Sequence, residues 1–180
     1  MNPRDSDSRA MLLRARIRDI PDFPKPGILF RDLTPLMGHG PSMRAVTEML
    51  VEKVAARRAD AIVAIESRGF IFGAPVAVSL GLGLAPVRKP GKLPWRTTRQ
   101  SYDLEYGTDS LEMHADAVVQ GTRVVIVDDL LATGGTASAT ADLVRSQGGV
   151  VVGLAVVVEL TLLDGRKRLG DVPVDSLIQY

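Results

Sequence analysis

The chain has 180 residues, of which 46% are hydrophobic and 24% charged, and its formal net charge is +1. This composition is typical of one ordinary globular domain, and the near-neutral charge argues against a nucleic-acid or membrane partner. There is no cysteine, the first nine residues are polar, and the longest apolar run, residues 150–158, is too short to cross a bilayer. We therefore expect a cytoplasmic protein.

Hydrophobic spacing and Pro/Gly punctuation predict alternating helices and strands. The first half comprises an amphipathic helix (10–20), an irregular Pro-rich segment (21–27), a helix (41–58), a strand (61–65), a helix (69–80) and a strand (84–88). The second half comprises a basic loop (89–98), a hairpin (101–106 and 110–114, tip at 107–109), a strand (123–127), a helix (137–144) and a strand (150–158). This alternation predicts a single α/β domain with a mainly parallel, twisted sheet flanked by helices.

The most informative segment is residues 124–136. Four β-branched apolar residues indicate a buried strand, which ends on Asp128 and Asp129 and leads through a turn of small residues and Thr into a helix. The free N–H groups of such a helix start bind a phosphate monoester. The donors here belong to Ala132, Thr133, Gly134, Gly135 and Thr136. The two carboxylates suit a vicinal diol, or Mg²⁺ held through water, so the segment predicts a sugar-phosphate site.

Residues 127–136 resemble the phosphoribosyl-pyrophosphate (PRPP) loop of type I phosphoribosyltransferases. Segments 23–32, 66–70, 88–94 and 102–107 follow in the same order as in the adenine phosphoribosyltransferase family and resemble it. The resemblance implies that family's fold, with a β-hairpin lid at about 89–114 and a base-binding hood at about 1–37. It also implies transfer of the 5-phosphoribosyl group from PRPP to adenine, giving AMP and pyrophosphate in purine salvage, with Mg²⁺ as cofactor.

The resemblance also assigns the residues that meet the leaving pyrophosphate. Arg68 contacts the leaving group, and Arg88, Lys89 and Lys92 add positive charge. A plain ion pair for Arg68 and a solvated basic loop for the other three are the alternatives. Because cations of this segment can reach a partner subunit in the family, a homodimer is implied.

Residues 89–106 resemble a mobile lid that excludes water during glycosyl transfer. Within it, Tyr106 resembles a PRPP-binding lid residue, and Glu105 is the candidate for proton transfer at the purine. A water-excluded pocket would raise the pKa of Glu105 toward neutrality. Asp103, two residues away on the same face of an extended strand, is the alternative acid.

The resemblance predicts a base site formed by Leu29, Phe30, Arg31 and Leu160. A 6-amino purine requires a hydrogen-bond acceptor where a 6-oxo purine requires a donor, so such a site discriminates strongly. The alternatives are a transferase for hypoxanthine, guanine, xanthine or orotate, and a PRPP-sensing regulator. The two histidines lack metal-ligand spacing, so no protein metal site is predicted; PRPP, pyrophosphate and water hold Mg²⁺, with Asp128 and Asp129 nearby.

Overall fold

The computed structural model describes residues 3–103 and 108–180. Its contacts divide the chain into a first unit, Met1–Met49, and a second unit, Leu50–Tyr180. The elements are α1 (Pro3–Arg14), β1 (Arg18–Pro21), β2 (Leu29–Asp32), α2 (Thr34–Met37), α3 (Gly40–Ala56), β3 (Ala61–Ile65), α4 (Arg68–Leu80), β4 (Gly83–Val87), β5 (Thr97–Asp103), β6 (Thr108–His114), β7 (Arg123–Leu131), α5 (Gly135–Ser146), β8 (Val150–Glu159) and β9 (Val174–Gln179). The predicted organisation as one domain with a hood and a lid stays a prediction.

The first unit contains a small antiparallel sheet where the sequence predicts the end of a helix. The predicted helix over residues 10–20 is wrong beyond Arg14, where α1 ends. β1 follows and pairs with β2, with Arg18 opposite Asp32. The partner strand lies further along the chain, so the local spacing of apolar residues carries no signal for this pairing. Between the two strands, residues 22–27 are irregular, as their proline content predicts. The predicted irregular segment is wrong for Pro21, which ends β1 opposite Leu29.

The second unit is built on a five-stranded parallel sheet, which confirms the predicted α/β class. The strand order is β4-β3-β7-β8-β9. α4 packs against β3 and β7, and α5 packs against β7, β8 and the β5–β6 hairpin. Most apolar residues of β3 and β7, among them Val63 and Ile126, are fully buried. A strand covered on both faces needs a continuous apolar run, which is the pattern of these two strands.

Two features of this sheet differ from the sequence prediction. β7 runs through the acidic pair to Leu131 instead of ending at Val127, because Leu130 and Leu131 still pair with Val158 and Glu159 of β8. The sheet also has an unpredicted edge strand, β9, which pairs in parallel with β8. Its polar residues hide the apolar pattern that identifies the other strands.

The predicted β-hairpin is present as β5 and β6. Its strands extend further than the sequence indicates, since β5 begins at Thr97. The predicted tip at residues 107–109 is wrong for Thr108 and Asp109, which lie in β6 opposite Asp103 and Tyr102. Residues 104–107 lie outside the described part of the chain. None of the helices within residues 3–103 and 108–180 is long and apolar enough to cross a membrane.

Candidate active site

A pocket of about 190 Å³ lies at the carboxyl end of β7 and the start of α5. Ligands of open α/β sheets bind at such an edge. The lining residues are Arg68, Asp128, Asp129, Leu130, Leu131, Ala132, Thr133, Gly134, Gly135, Thr136 and Ala137. The structure therefore brings together the predicted acidic pair, the predicted phosphate-binding residues and Arg68.

The connection from β7 to α5, residues 132–136, is here named the glycine loop. Gly134 has a left-handed φ of 82° and is the residue before α5, and its carbonyl accepts the first helical hydrogen bond, from Ser138 N–H at 2.9 Å. A Cβ on Gly134 would collide with the carbonyl of Gly165, so glycine is required here. The first N–H groups of α5 have no partner within the helix and face outward with the positive end of its dipole. This arrangement suits a phosphate.

The acidic pair lies beside the glycine loop and is joined to Arg68. The Arg68 guanidinium donates to the buried carboxylate of Asp129. Arg68 is the first residue of α4, after a cis peptide bond between Glu66 and Ser67. Gly69 makes room for the approach, since a Cβ there would lie 2.9 Å from the Val127 carbonyl. The ion pair thus joins two predicted site residues from different strand ends.

The other carboxylate of the acidic pair, Asp128, has a strongly raised pKa. Burial raises the pKa of the Asp128 carboxyl well above its ordinary value, and the negative charge of Asp129 raises that pKa further. Its Oδ1 accepts the Asp129 N–H at 2.8 Å. A cation or a hydroxyl donor that binds this carboxylate would offset the free-energy cost of burying its negative charge.

The predicted pyrophosphate cations lie in residues 88–92, here named the basic segment, and two of them are held by Glu66. The Glu66 carboxylate accepts hydrogen bonds from Arg88 Nε at 3.1 Å and Lys92 Nζ at 3.4 Å. Burial alone would raise the pKa of Glu66, but the Lys89 N–H and these two side chains hold it below its ordinary value. Glu66, two residues before Arg68, therefore connects the turn that leads into α4 with the basic segment.

The third cation, Lys89, is held by the hairpin. Its ammonium pairs with Asp109 of β6, which also accepts a hydrogen bond from the Tyr102 hydroxyl at 3.3 Å. The same hydroxyl lies 3.5 Å from Thr136 Oγ1 in the glycine loop. These contacts connect the basic segment, the hairpin and the glycine loop in one polar chain.

Glu112 fixes the basic segment from the other side. This buried carboxylate accepts hydrogen bonds from Arg99 at 2.6 and 2.9 Å and from the Gly91 N–H at 3.0 Å. Both interactions hold the pKa of Glu112 below its ordinary value. The backbones of Arg88 and Glu112 also exchange two hydrogen bonds. The cations are thus restrained before any anion binds, which lowers the reorganisation that binding requires.

The remaining predicted residues fall elsewhere. Glu105 and Tyr106 lie outside the described residues. In the first unit, Leu29, Phe30 and Arg31 belong to β2; Phe30 packs edge-on against Phe23 at 5.1 Å and Arg31 pairs with Asp19.

Leu160, in the second unit, directly follows β8 and donates its N–H to the Leu131 carbonyl at 2.9 Å. The predicted role of Leu29, Phe30, Arg31 and Leu160 in base binding stays a prediction.

Sequence reasoning missed the carboxylates that hold the cations and one basic residue beside the glycine loop. Glu66, Asp109 and Glu112 have no signal in local spacing, although the hairpin register would have placed Asp109 opposite Tyr102. Arg168 comes from a distant segment that packs on the glycine loop through Gly165. No local sequence pattern predicts that this segment packs on the glycine loop.

The fold and this site agree with comparisons to known proteins. The family model for the phosphoribosyl transferase domain matches residues 36–178. The chain therefore belongs to the phosphoribosyltransferase family.

Individual relatives show which members of the phosphoribosyltransferase family this chain is similar to. The adenine phosphoribosyltransferase of Roseiflexus castenholzii is 54% identical over 164 residues, which cover 91% of this chain and 95% of that one. The crystal structure of adenine phosphoribosyltransferase from Thermoanaerobacter pseudethanolicus has a TM-score of 0.93 and 54% identity, with 95% of this chain and 99% of that chain covered. These similarities confirm the resemblance to the adenine phosphoribosyltransferase family.

A more distant structure carries ligands. The Saccharomyces cerevisiae adenine phosphoribosyltransferase has a TM-score of 0.89 and 38% identity, with 95% of this chain and 99% of that chain covered. It was crystallised in complex with an imino-altritol bisphosphate and adenine.

Proposed function

We propose that this chain transfers the 5-phosphoribosyl group of PRPP to adenine, giving AMP and pyrophosphate in purine salvage. The observation that carries the proposal is the pocket where a helix start and two carboxylates adjoin, in a chain of the phosphoribosyltransferase family. Adenine as the acceptor rests on relatives with 54% identity over most of the chain and on the yeast relative's complex with adenine.

The sugar phosphate of PRPP occupies the pocket in this proposal. The N–H groups of the glycine loop and the hydroxyls of Thr133 and Thr136 bind the 5′-phosphate. Asp128 and Asp129 bind the two ribose hydroxyls, which donate hydrogen bonds to the carboxylate oxygens. Arg68 neutralises the charge of Asp129. The acidic pair therefore repels the nearby phosphate less than two free carboxylates would.

The pyrophosphate leaving group meets the cations in this proposal. Arg68 and the basic segment stabilise the negative charge that develops as the bond to ribose C1′ breaks. Glu66 and Asp109 hold Arg88, Lys89 and Lys92 in place through the hydrogen bonds and ion pairs given above. Which of these cations acts within its own subunit depends on the homodimer, which is part of the proposal.

Mg²⁺ is the proposed cofactor. Residues 3–103 and 108–180 contain no cluster of three or more His, Cys, Asp or Glu side chains able to enclose a metal ion. The oxygens of Asp128 and Asp129 fit an ion that keeps several waters and takes its other ligands from PRPP. When bound, the ion neutralises part of the diphosphate charge.

Proton transfer is assigned to Glu105 and closure of the site to the hairpin lid with Tyr106. Closing a lid excludes water, which would otherwise hydrolyse PRPP. Leu29, Phe30, Arg31 and Leu160 remain the proposed base-binding residues, and a cytoplasmic location remains part of the proposal.

The direct test is formation of AMP from adenine, PRPP and Mg²⁺, separated by chromatography. AMP appearing in step with pyrophosphate is expected. A folded protein that forms neither product would overturn the proposal. An Asp116→Asn variant serves as a control with unchanged rate, since this exposed carboxylate lies outside the pocket.

A further inference from the structure

The wall of the pocket carries little free positive charge. Among the described lining residues Arg68 is the cation, and it is paired with Asp129. A phosphate monoester bound at the glycine loop carries up to two negative charges, which backbone N–H groups and a helix dipole balance only in part. A basic side chain close to the start of α5 would complete this balance.

Arg168 is placed at that position by tight packing. The segment Gly165–Leu169 forms a short 3-10 helix whose first residue lies against Gly134 and Ala132, close enough that no Cβ fits between them. The Arg168 carbonyl accepts a hydrogen bond from Ser138 Oγ in the first turn of α5 at 3.2 Å. The backbone of Arg168 is thereby fixed beside the helix start.

The side chain of Arg168 reaches the first residue of α5. A Cβ built on Gly135 would lie 3.3 Å from Arg168 Nη1 and 3.3 Å from Tyr102 Cδ2. Gly135 itself lines the pocket. The guanidinium therefore lies against the backbone that would hold the phosphate.

The neighbouring cations of this segment are engaged elsewhere. Arg166 makes two hydrogen bonds to the buried Glu159 at 2.5 and 2.6 Å, and Lys167 pairs with Asp164. Within the described part of the chain, no carboxylate pairs with Arg168. Its charge is thus available to an anion.

We propose that Arg168 is a binding residue for the 5′-phosphate, supplying the side-chain charge that the glycine loop lacks. This inference rests on the proposed function, since it needs a phosphate in the glycine loop. The attraction acts on every ligand with a 5′-phosphate, namely PRPP, AMP and ribose 5-phosphate, and leaves adenine untouched. Because Arg168 is exposed, solvent and salt screen the attraction, so its effect is modest.

The test compares Arg168→Gln with Lys167→Gln, which removes the same charge one residue away. Ribose 5-phosphate binding is measured by calorimetry at several salt concentrations, and adenine KM by steady-state kinetics. Arg168→Gln is expected to weaken ribose 5-phosphate binding about three- to tenfold at low salt and to flatten its salt dependence. Lys167→Gln stays within about twofold of wild type, Arg168→Lys recovers most of the affinity, and adenine KM is unchanged.

Each other result has a distinct meaning. Equal ribose 5-phosphate affinity for Arg168→Gln and wild type would overturn the role of Arg168, as would an equal loss in Lys167→Gln. A wild type that binds ribose 5-phosphate without turning over adenine would overturn adenine as the acceptor. The binding of ribose 5-phosphate to Arg168→Gln and wild type would still test the role of Arg168. A wild type that does not bind ribose 5-phosphate would overturn both.

Discussion

Replacing Gly134 by alanine tests the construction of the glycine loop. Gly134 has a φ of 82°, and its Cβ position is occupied by the Gly165 carbonyl, a backbone atom that cannot rotate away. An L-residue in the left-handed region costs about 1–2 kcal/mol. Displacing a packed backbone segment adds about 1–3 kcal/mol. Gly134→Ala should therefore lower the free energy of unfolding by about 2–5 kcal/mol.

The matched control is Gly121→Ala. Gly121 has nearly the same φ, 83°, but nothing lies within 4 Å of its Cβ position. Its replacement should cost only the conformational part, about 1–2 kcal/mol. Urea unfolding of both variants without ligand measures the difference, which isolates the contact with Gly165. Equal destabilisation of the two variants would refute the reasoning that this segment closes tightly on the glycine loop.

Three further predictions concern charged groups. Asp128→Asn and Asp129→Asn should each raise KM for PRPP at least tenfold in steady-state kinetics, because the carboxylates bind substrate hydroxyls. Thermal unfolding should show a loss of stability in Asp129→Asn, which weakens the ion pair with Arg68, and little loss in Asp128→Asn. Glu105→Gln should lower kcat by about 10²-fold or more with smaller changes in KM, measured in the same assay, since it removes the proposed proton transfer. Glu159→Gln should cost about 1–3 kcal/mol at neutral pH by urea unfolding, because it breaks the hydrogen bonds from Arg166.

The effect of Glu159→Gln on the free energy of unfolding should also depend on pH. The hydrogen bonds from Arg166 hold the pKa of Glu159 below its ordinary value. Its contribution to stability is therefore complete above the ordinary glutamate pKa and is lost as pH falls through the lowered value. The difference between wild type and Glu159→Gln should shrink below about pH 4; a difference independent of pH would contradict this assignment.

Matched variants control the other two predictions. Asp116→Asn changes the same chemistry on an exposed residue outside the pocket and should leave KM for PRPP unchanged. Glu48→Gln, on the exposed side of α3, should leave kcat unchanged. Normal PRPP kinetics in the Asp128 and Asp129 variants would remove the diol-binding role, and an unaffected kcat in Glu105→Gln would move proton transfer to another group.

The parts of the fold that local sequence determines were predictable. β3 and α4 follow from a short apolar run and a helical pattern, and both lie within one residue of their predicted bounds. The pocket was also predictable, because a buried strand, an acidic pair, a glycine turn and a helix start are contiguous in the chain.

The parts that depend on pairing between distant residues were not predictable. β1 is a strand because β2 pairs with it, and β7 continues past its apolar run because β8 extends alongside it. The same holds at the site, where Glu66 meets the basic segment and Arg168 meets α5 only in three dimensions. These contacts join residues that are far apart in the chain, so the local sequence cannot predict them.

The measurement that tests the central claim most directly is pyrophosphate release from PRPP and Mg²⁺ with five bases compared in parallel. Adenine is expected to give a kcat/KM several orders of magnitude above those of hypoxanthine, guanine, xanthine and orotate, because a base site matched to a 6-amino group leaves a buried polar group unpaired with a 6-oxo base. Preference for any of the other four bases would contradict the proposed acceptor, and no release with any base would contradict the phosphoribosyl transfer itself.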